Sequence, residues 1–186
     1  MVTIPGKATL DDLYDIPDNG KAELVQGTVL LMSPTGRLPG RASGEIYLSL
    51  RMYERAGGVG TAFPDNVSFV VNLPHRRSFS PDAAWYVGPD SGMRFPTGAP
   101  RFAAEIRSEN DYGDTAEVDM TEKRRDYFLA GTLVVWDVDL QGEIVVRKFT
   151  ASGGAEVPDA VFRRGEIADA EPAVPNWTMA VDDLFA

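Results

Sequence analysis

The sequence predicts a mixed α/β fold in which helices pack against a sheet. Three observations predict it. "TLVVWDVD" is a continuous apolar run, the pattern of a central strand covered on both faces. The segments 42–55 and 118–130 carry apolar residues suited to helices, Ile46, Leu50 and Tyr53 in one and Met120, Tyr127 and Phe128 in the other. Around them lie short runs rich in β-branched and aromatic residues, bounded by Gly, Pro, Asn and Asp.

Taken in order, Thr9 before Leu10-Asp11-Asp12-Leu13 predicts a short capped helix with acids in its first turn. Asp18-Asn19-Gly20 predicts a turn. "KAELVQGTVLLMSP" predicts a hairpin turning near Gln26-Gly27. Gly36 to Gly40 reads as a loop, followed by the first long helix, which Gly57-Gly58 ends. "GTAFPDNVSFVVN" reads as one strand with Val67, Phe69 and Val71 alternating, and Ala83 to Val87 as the next. Residues 88–100 form a Gly- and Pro-rich loop before a strand from Arg101 to Arg107. "SENDYGDTAE" reads as a loop, and the second long helix ends at Gly131. "GEIVVRKFT" pairs with the central run across Leu140-Gln141-Gly142, and the tail adds a strand region and a short closing segment, 181–185. The length suits one domain, 1–186.

Composition bounds the function. Hydrophobic residues make up 44% and charged residues 25%, enough for a core. No run is long enough to span a bilayer, and the N-terminus lacks a signal-peptide pattern, so cytoplasm is the expected location. The absence of cysteine excludes disulfides and zinc-thiolate sites. A net charge of -10 argues against coating nucleic acid by bulk electrostatics, but permits a local basic groove.

The chemistry-bearing residues are acids in apolar strands. A carboxylate there is costly unless paired or bound to a metal. Glu105 lies inside "FAAEI", Asp82 opens "DAAWYV" after Pro81, and Glu23 precedes Leu24-Val25. Singly, Asp82 reads more simply as a turn residue and Glu23 as a solvated edge charge, while Glu105 could face water. Together they suit Mg²⁺ or Mn²⁺, which polarises a phosphoryl oxygen and lowers the pKa of bound water. Lys123 reads either as a solvated charge beside Glu122, Arg124 and Arg125, or as a cation near a scissile phosphate. Lys123 and Tyr127 are four apart, on one helix stripe.

In this order "TLDDLYDIPDNGKAELVQGTVLLMSP", "SPDAAWYV", "PRFAAEIRSEN", "DMTEKRRDYFLAGTLVVWDVD" and "VPNWTMAVDDLF" resemble the Uma-two family of restriction endonucleases, a branch of the PD-(D/E)xK nuclease superfamily. The resemblance covers nearly the whole chain. It implies a restriction-endonuclease-like fold, a four-stranded mixed core sheet flanked by helices with extra β-hairpins. It implies that Asp82, Glu105 and the backbone carbonyl of Ile106 hold a metal, and that Glu23 and Lys123 complete a catalytic set. Three departures stand out, one being the loop from Ser108 to Lys123, a few residues longer than the family's. Arg107 occupies the third motif position, where the superfamily pattern has Lys. The start of the second helix has Gly40-Arg41-Ala42-Ser43 instead of the histidine often found there, and the sole histidine is His75.

The expected activity is endonucleolytic hydrolysis of nucleic acid, DNA first, with Mg²⁺ or Mn²⁺ and in a possible homodimer. Arg37, Arg41 and Arg107 are the candidates for phosphate contacts, with scattered solubilising charge as the plainer reading. The alternative is a catalytically silent binding or scaffold domain, favoured by the acidic charge and by Arg107.

Overall fold

The computed structural model describes residues 2–4, 7–16 and 20–186. The turn expected at Asp18-Asn19-Gly20 lies outside them at its first two positions. Helix α1 (Leu10–Tyr14) begins where Thr9 predicts, with the Thr9 N–H donating to Asp12 Oδ2 (2.6 Å). Strands β1 (Val2–Ile4), β2 (Ala22–Val25) and β3 (Thr28–Leu31) form an antiparallel sheet in the order β1-β3-β2. Gln26 and Gly27 both take positive φ, 50° and 69°, the turn geometry that matches strand twist and that Gly adopts without strain.

Helix α2 spans Arg37–Arg55, so the loop expected at Gly36 to Gly40 is already helical from Arg37. Pro39 sits in the first turn, where its missing N–H has no partner to lose. The strand expected across 60–72 is two strands. Asn66, at φ 67°, turns the chain between β4 (Thr61–Phe63) and β5 (Phe69–Val70), and β5 pairs instead with β6 (Ser78–Phe79).

Strands β7 (Ala83–Tyr86) and β8 (Phe102–Ile106) are antiparallel neighbours. Helix α3 (Asp114–Ala130) then carries the chain to β9 (Val134–Val138), which lies parallel to β8. Parallel neighbours require such a crossover. Gly131, at φ 106°, ends α3 and lets the Thr132 N–H donate to the Tyr127 carbonyl (3.0 Å). Strands β10 (Val146–Thr150) and β11 (Ala160–Phe162) follow antiparallel. The sheet order is β11-β10-β9-β8-β7-β4. The resemblance implied a core of four strands; β4 and β11 widen it to six. A ribbon of β12 (Ile167–Asp169) and β13 (Thr178–Ala180) precedes a closing 3-10 helix, Val181–Phe185.

Alternation along the strands gives the two faces of this sheet different tasks. Ala83, Trp85, Phe102, Ala104, Val134 and Trp136 pack with Ile46 and Leu50 of α2 and with Trp177 and Leu184 near the C-terminus. Phe102, Trp136 and Trp177 meet with ring centroids 5.2–5.7 Å apart, each pair contributing about 1 kcal/mol beyond burial. The opposite face carries Ala103 and Val135 beneath Tyr127 of α3 and Phe79 of β6. Glu105 has the parity of Ala103. Asp82 stands opposite Glu105, because Ala83 pairs with Ala104 and the Asp82 N–H donates to the Ala104 carbonyl. The α3 face therefore receives both acids.

Candidate active site

Each acid is held by a different element. Glu23 comes from β2, an antiparallel hairpin laid against β6, and is 3% exposed. Its Oε1 accepts the Ser80 N–H (3.0 Å) and its Oε2 the Arg76 guanidinium (2.5 Å). Glu105 comes from the middle of the sheet. The Tyr127 hydroxyl donates to its Oε1 (2.6 Å), and the Tyr127 ring is fixed by stacking on Phe79 at 4.0 Å. Lys123, one helical turn before Tyr127, places Nζ 2.9 Å from both Glu105 Oε2 and Glu23 Oε1. The stripe shared by Lys123 and Tyr127 thus points at the sheet.

Asp82 is held from both sides. The Ile106 N–H donates to its Oδ2 (2.7 Å), and the Ser43 hydroxyl of α2 donates to its backbone carbonyl (2.6 Å). A strand residue's N–H and C=O leave the same edge, so the Ile106 carbonyl also faces the Asp82 side. Asp82 Oδ1 lies 2.5 Å from Lys21 Nζ, which is also 2.7 Å from Asp65 Oδ1 in the turn between β4 and β5.

The cluster therefore sets Glu23, Asp65, Asp82 and Glu105 against Lys21, Arg76 and Lys123. Burial works against the Glu23 charge, yet Lys123 and Arg76 outweigh it and hold the carboxyl down at about 2. Burial raises Glu105 above its ordinary value; Lys123 opposes this, while Asp82 and Glu23 add to it. Burial also works against the Lys123 ammonium, but Glu105 and Glu23 more than restore it, so it stays charged. Burial, then the neighbouring Glu105 carboxylate, pushes the Tyr127 phenol well up, which keeps it a donor.

The donor set fits a hard divalent cation. Asp82 and Glu105 sit side by side with side chains 18% and 20% exposed, more open than Glu23 at 4%. Two carboxylates and a carbonyl suit Mg²⁺, which keeps several waters and takes substrate phosphate for its remaining positions. Among the described residues, no three acids or histidines converge as a ready-made metal group. The ammonium of Lys21 occupies one oxygen of Asp82, and that of Lys123 one oxygen of Glu105, that such an ion would need.

The family model described as "Putative restriction endonuclease", Uma2, matches residues 9–182. The chain belongs to the Uma2 family. A solved structure described as a "putative nuclease belonging to DUF820", from Anabaena variabilis, superposes with a TM-score of 0.71 at 17% identity. The superposition covers 95% of this chain and 97% of that one, and shows a shared fold. No curated protein matches the chain.

The arginines of this Uma2 chain fall elsewhere than expected. Arg107 shares the face of Glu105 but is buried. Nε and Nη2 grip Asp137 at 2.8 and 2.7 Å, Nη1 and Nη2 pair with Glu117, and the guanidinium lies over the Tyr112 ring. Its guanidinium is taken up by internal pairs, because Asp137 in β9 is itself buried and needs a partner. A cavity of about 30 Å³, room for one water, is lined by Asp137 and Arg124 together with Glu105, Lys123 and Tyr127. Arg37 and Arg41 lie in the first turns of α2, not in a loop. Arg41 donates to the Ala186 carbonyl (2.8 and 3.1 Å) and pairs with Glu45, though its side chain remains 54% exposed. Arg37 is exposed.

Several residues of the site carry weak sequence signals. Lys21 stands two before Glu23, the spacing that puts two side chains on one face of an extended chain. Asp137 interrupts the apolar run of β9 just as Glu105 interrupts β8, and the two are register partners. Asp65 sits in a turn and Arg76 in an isolated bridge to Val25, and neither carries such a signal. His75, expected only in a turn, places Nε2 2.6 Å from Asp126, which in turn accepts from Arg76 (2.8 Å).

Proposed function

We propose that this protein hydrolyses phosphodiester bonds in nucleic acid, with DNA as the first substrate to test and Mg²⁺ or Mn²⁺ as cofactor. What carries the reading is the placement of Lys123 Nζ at 2.9 Å from both Glu23 and Glu105 while Asp82 faces Glu105 across neighbouring strands. Asp82, Glu105 and the Ile106 carbonyl would hold the ion. When bound, it would polarise the phosphoryl oxygen and lower the pKa of a water. Lys123 supplies a fixed positive charge beside the acids, suited to orienting that water and to stabilising charge that develops on the phosphate. Glu23 holds the ammonium on its far side. Tyr127 holds one oxygen of Glu105 through its hydroxyl. Arg37 and Arg41 are the exposed cations near this end of the sheet, two turns or less from Ser43, which touches Asp82.

The test is cleavage of plasmid and labelled oligonucleotides with Mg²⁺ or Mn²⁺, alongside Mn²⁺ titration calorimetry. Lys123→Ala abolishes cleavage without weakening Mn²⁺ binding, because the lysine acts on the transition state and its ammonium does not help to hold the ion. Asp82→Ala loses both. A second reading, a silent binding or scaffold relative, draws on Arg107, fixed by Asp137 and Glu117, and on Lys21, already paired with Asp82. Absence of both cleavage and Mn²⁺ heat in the unaltered protein selects that reading.

A further inference from the structure

Lys21 is a second lysine in the cluster, and the hydrolytic reading above gives it no task. Its ammonium sits between two carboxylates, 2.5 Å from Asp82 Oδ1 and 2.7 Å from Asp65 Oδ1. The other oxygen of Asp82 is taken by the Ile106 N–H. Lys21 therefore covers the oxygen of Asp82 through which a divalent cation would enter. Asp65 differs from the other acids. It stands in the turn between β4 and β5 and is the most exposed of the four, with a third of its side chain open to solvent. A flexible four-carbon stem lets one ammonium lean on either carboxylate.

We propose that Lys21 is a positioning residue that competes with the divalent ion for Asp82, and that Asp65 is the carboxylate to which it withdraws when the ion arrives. The inference rests on the metal-dependent reading. An ammonium and a divalent cation repel strongly at contact distance, so both cannot lie on Asp82 at once. Withdrawal to Asp65 keeps the lysine paired and frees Asp82 without breaking the strand geometry. The ion then binds more weakly than the two carboxylates alone would allow, and substrate phosphate supplies the missing affinity.

Mn²⁺ titration calorimetry on the nucleic-acid-free protein tests this. Lys21→Met tightens Mn²⁺ binding tenfold or more. Lys21→Gln keeps a hydrogen-bond donor for Asp82 without the charge; it tightens binding in the same direction and covers the case in which the Met variant fails to fold. Asp65→Asn weakens Mn²⁺ binding several-fold, since Lys21 then has no carboxylate to withdraw to. Lys21→Gln with Asp65→Asn binds like Lys21→Gln alone, because Asp65 acts only through the lysine. Unchanged or weaker affinity in Lys21→Gln, or tighter affinity in Asp65→Asn, overturns the inference while leaving the metal-dependent reading intact. Absence of Mn²⁺ binding in the unaltered protein and in Lys21→Gln alike overturns both.

Discussion

Glu23 gives the sharpest quantitative prediction, through Glu23→Gln. Its carboxylate is buried and satisfied by Lys123, Arg76 and the Ser80 N–H. Its folded pKa is about 2, against an ordinary 4.5, so the folded state binds its proton less readily than the unfolded chain. A depressed pKa contributes stability above the unfolded value, and that stability is lost as pH falls through the folded value. At 1.36 kcal/mol per unit, the carboxylate contributes about 3 kcal/mol at neutral pH, of which roughly half to two-thirds is gone by pH 3. Glu23→Gln removes the titration. Urea unfolding of both proteins from pH 7 to pH 3 should show the variant about 3 kcal/mol less stable at pH 7, the gap narrowing by about 2 kcal/mol at pH 3. Glu105 works the other way. Its folded pKa is raised, so its contribution is present below the unfolded value and lost as pH rises through the folded one. It shares Lys123 with Glu23, so the variant also shifts Glu105, and only the difference between the two proteins isolates the coupled pair. A stability gap that does not change with pH would refute the claim that Glu23 is ionised and paired in the folded state.

Three further outcomes follow from the same geometry. Arg107→Ala strips Asp137 of its bidentate partner and leaves only Arg124 at 3.4 Å, so chemical denaturation should show a loss of about 3–5 kcal/mol, with Mn²⁺ affinity nearly unchanged. Tyr127→Phe keeps the stack on Phe79 but removes the hydroxyl from Glu105; it should cost about 1.5–3 kcal/mol in denaturant and lower cleavage more than Mn²⁺ affinity. Ser43→Ala frees the Asp82 carbonyl from α2 and should cost about 1 kcal/mol, with a small fall in Mn²⁺ affinity read by calorimetry.

Much of the architecture is local and was legible in the sequence. The apolar run at 134–138, the helical spacing before Arg55 and before Gly131, and the turn at Gln26-Gly27 each encode their element by side-chain period or backbone preference. So did the anomaly of Glu105, since a carboxylate in an apolar strand demands a partner wherever the strand goes. What local signals could not set was partnership. The division of 60–72 into β4 and β5 depends on which sheet each half joins. Arg37 to Gly40 read as a loop because of Gly and Pro, yet Pro is tolerated in the first turn of a helix, and α2 begins there. The face on which Glu105 stands was undecided until Ala83 met Ala104 in register. Arg107 and Lys21 are the clearest cases. Each is a basic residue two positions from a key acid, and nothing in that spacing distinguishes a substrate contact from an internal pair. Asp137 lies 30 residues from Arg107 and Asp82 lies 61 from Lys21. The charge that each cation meets is brought to it by strands distant in sequence, and Coulomb energy falls with distance in space, not along the chain.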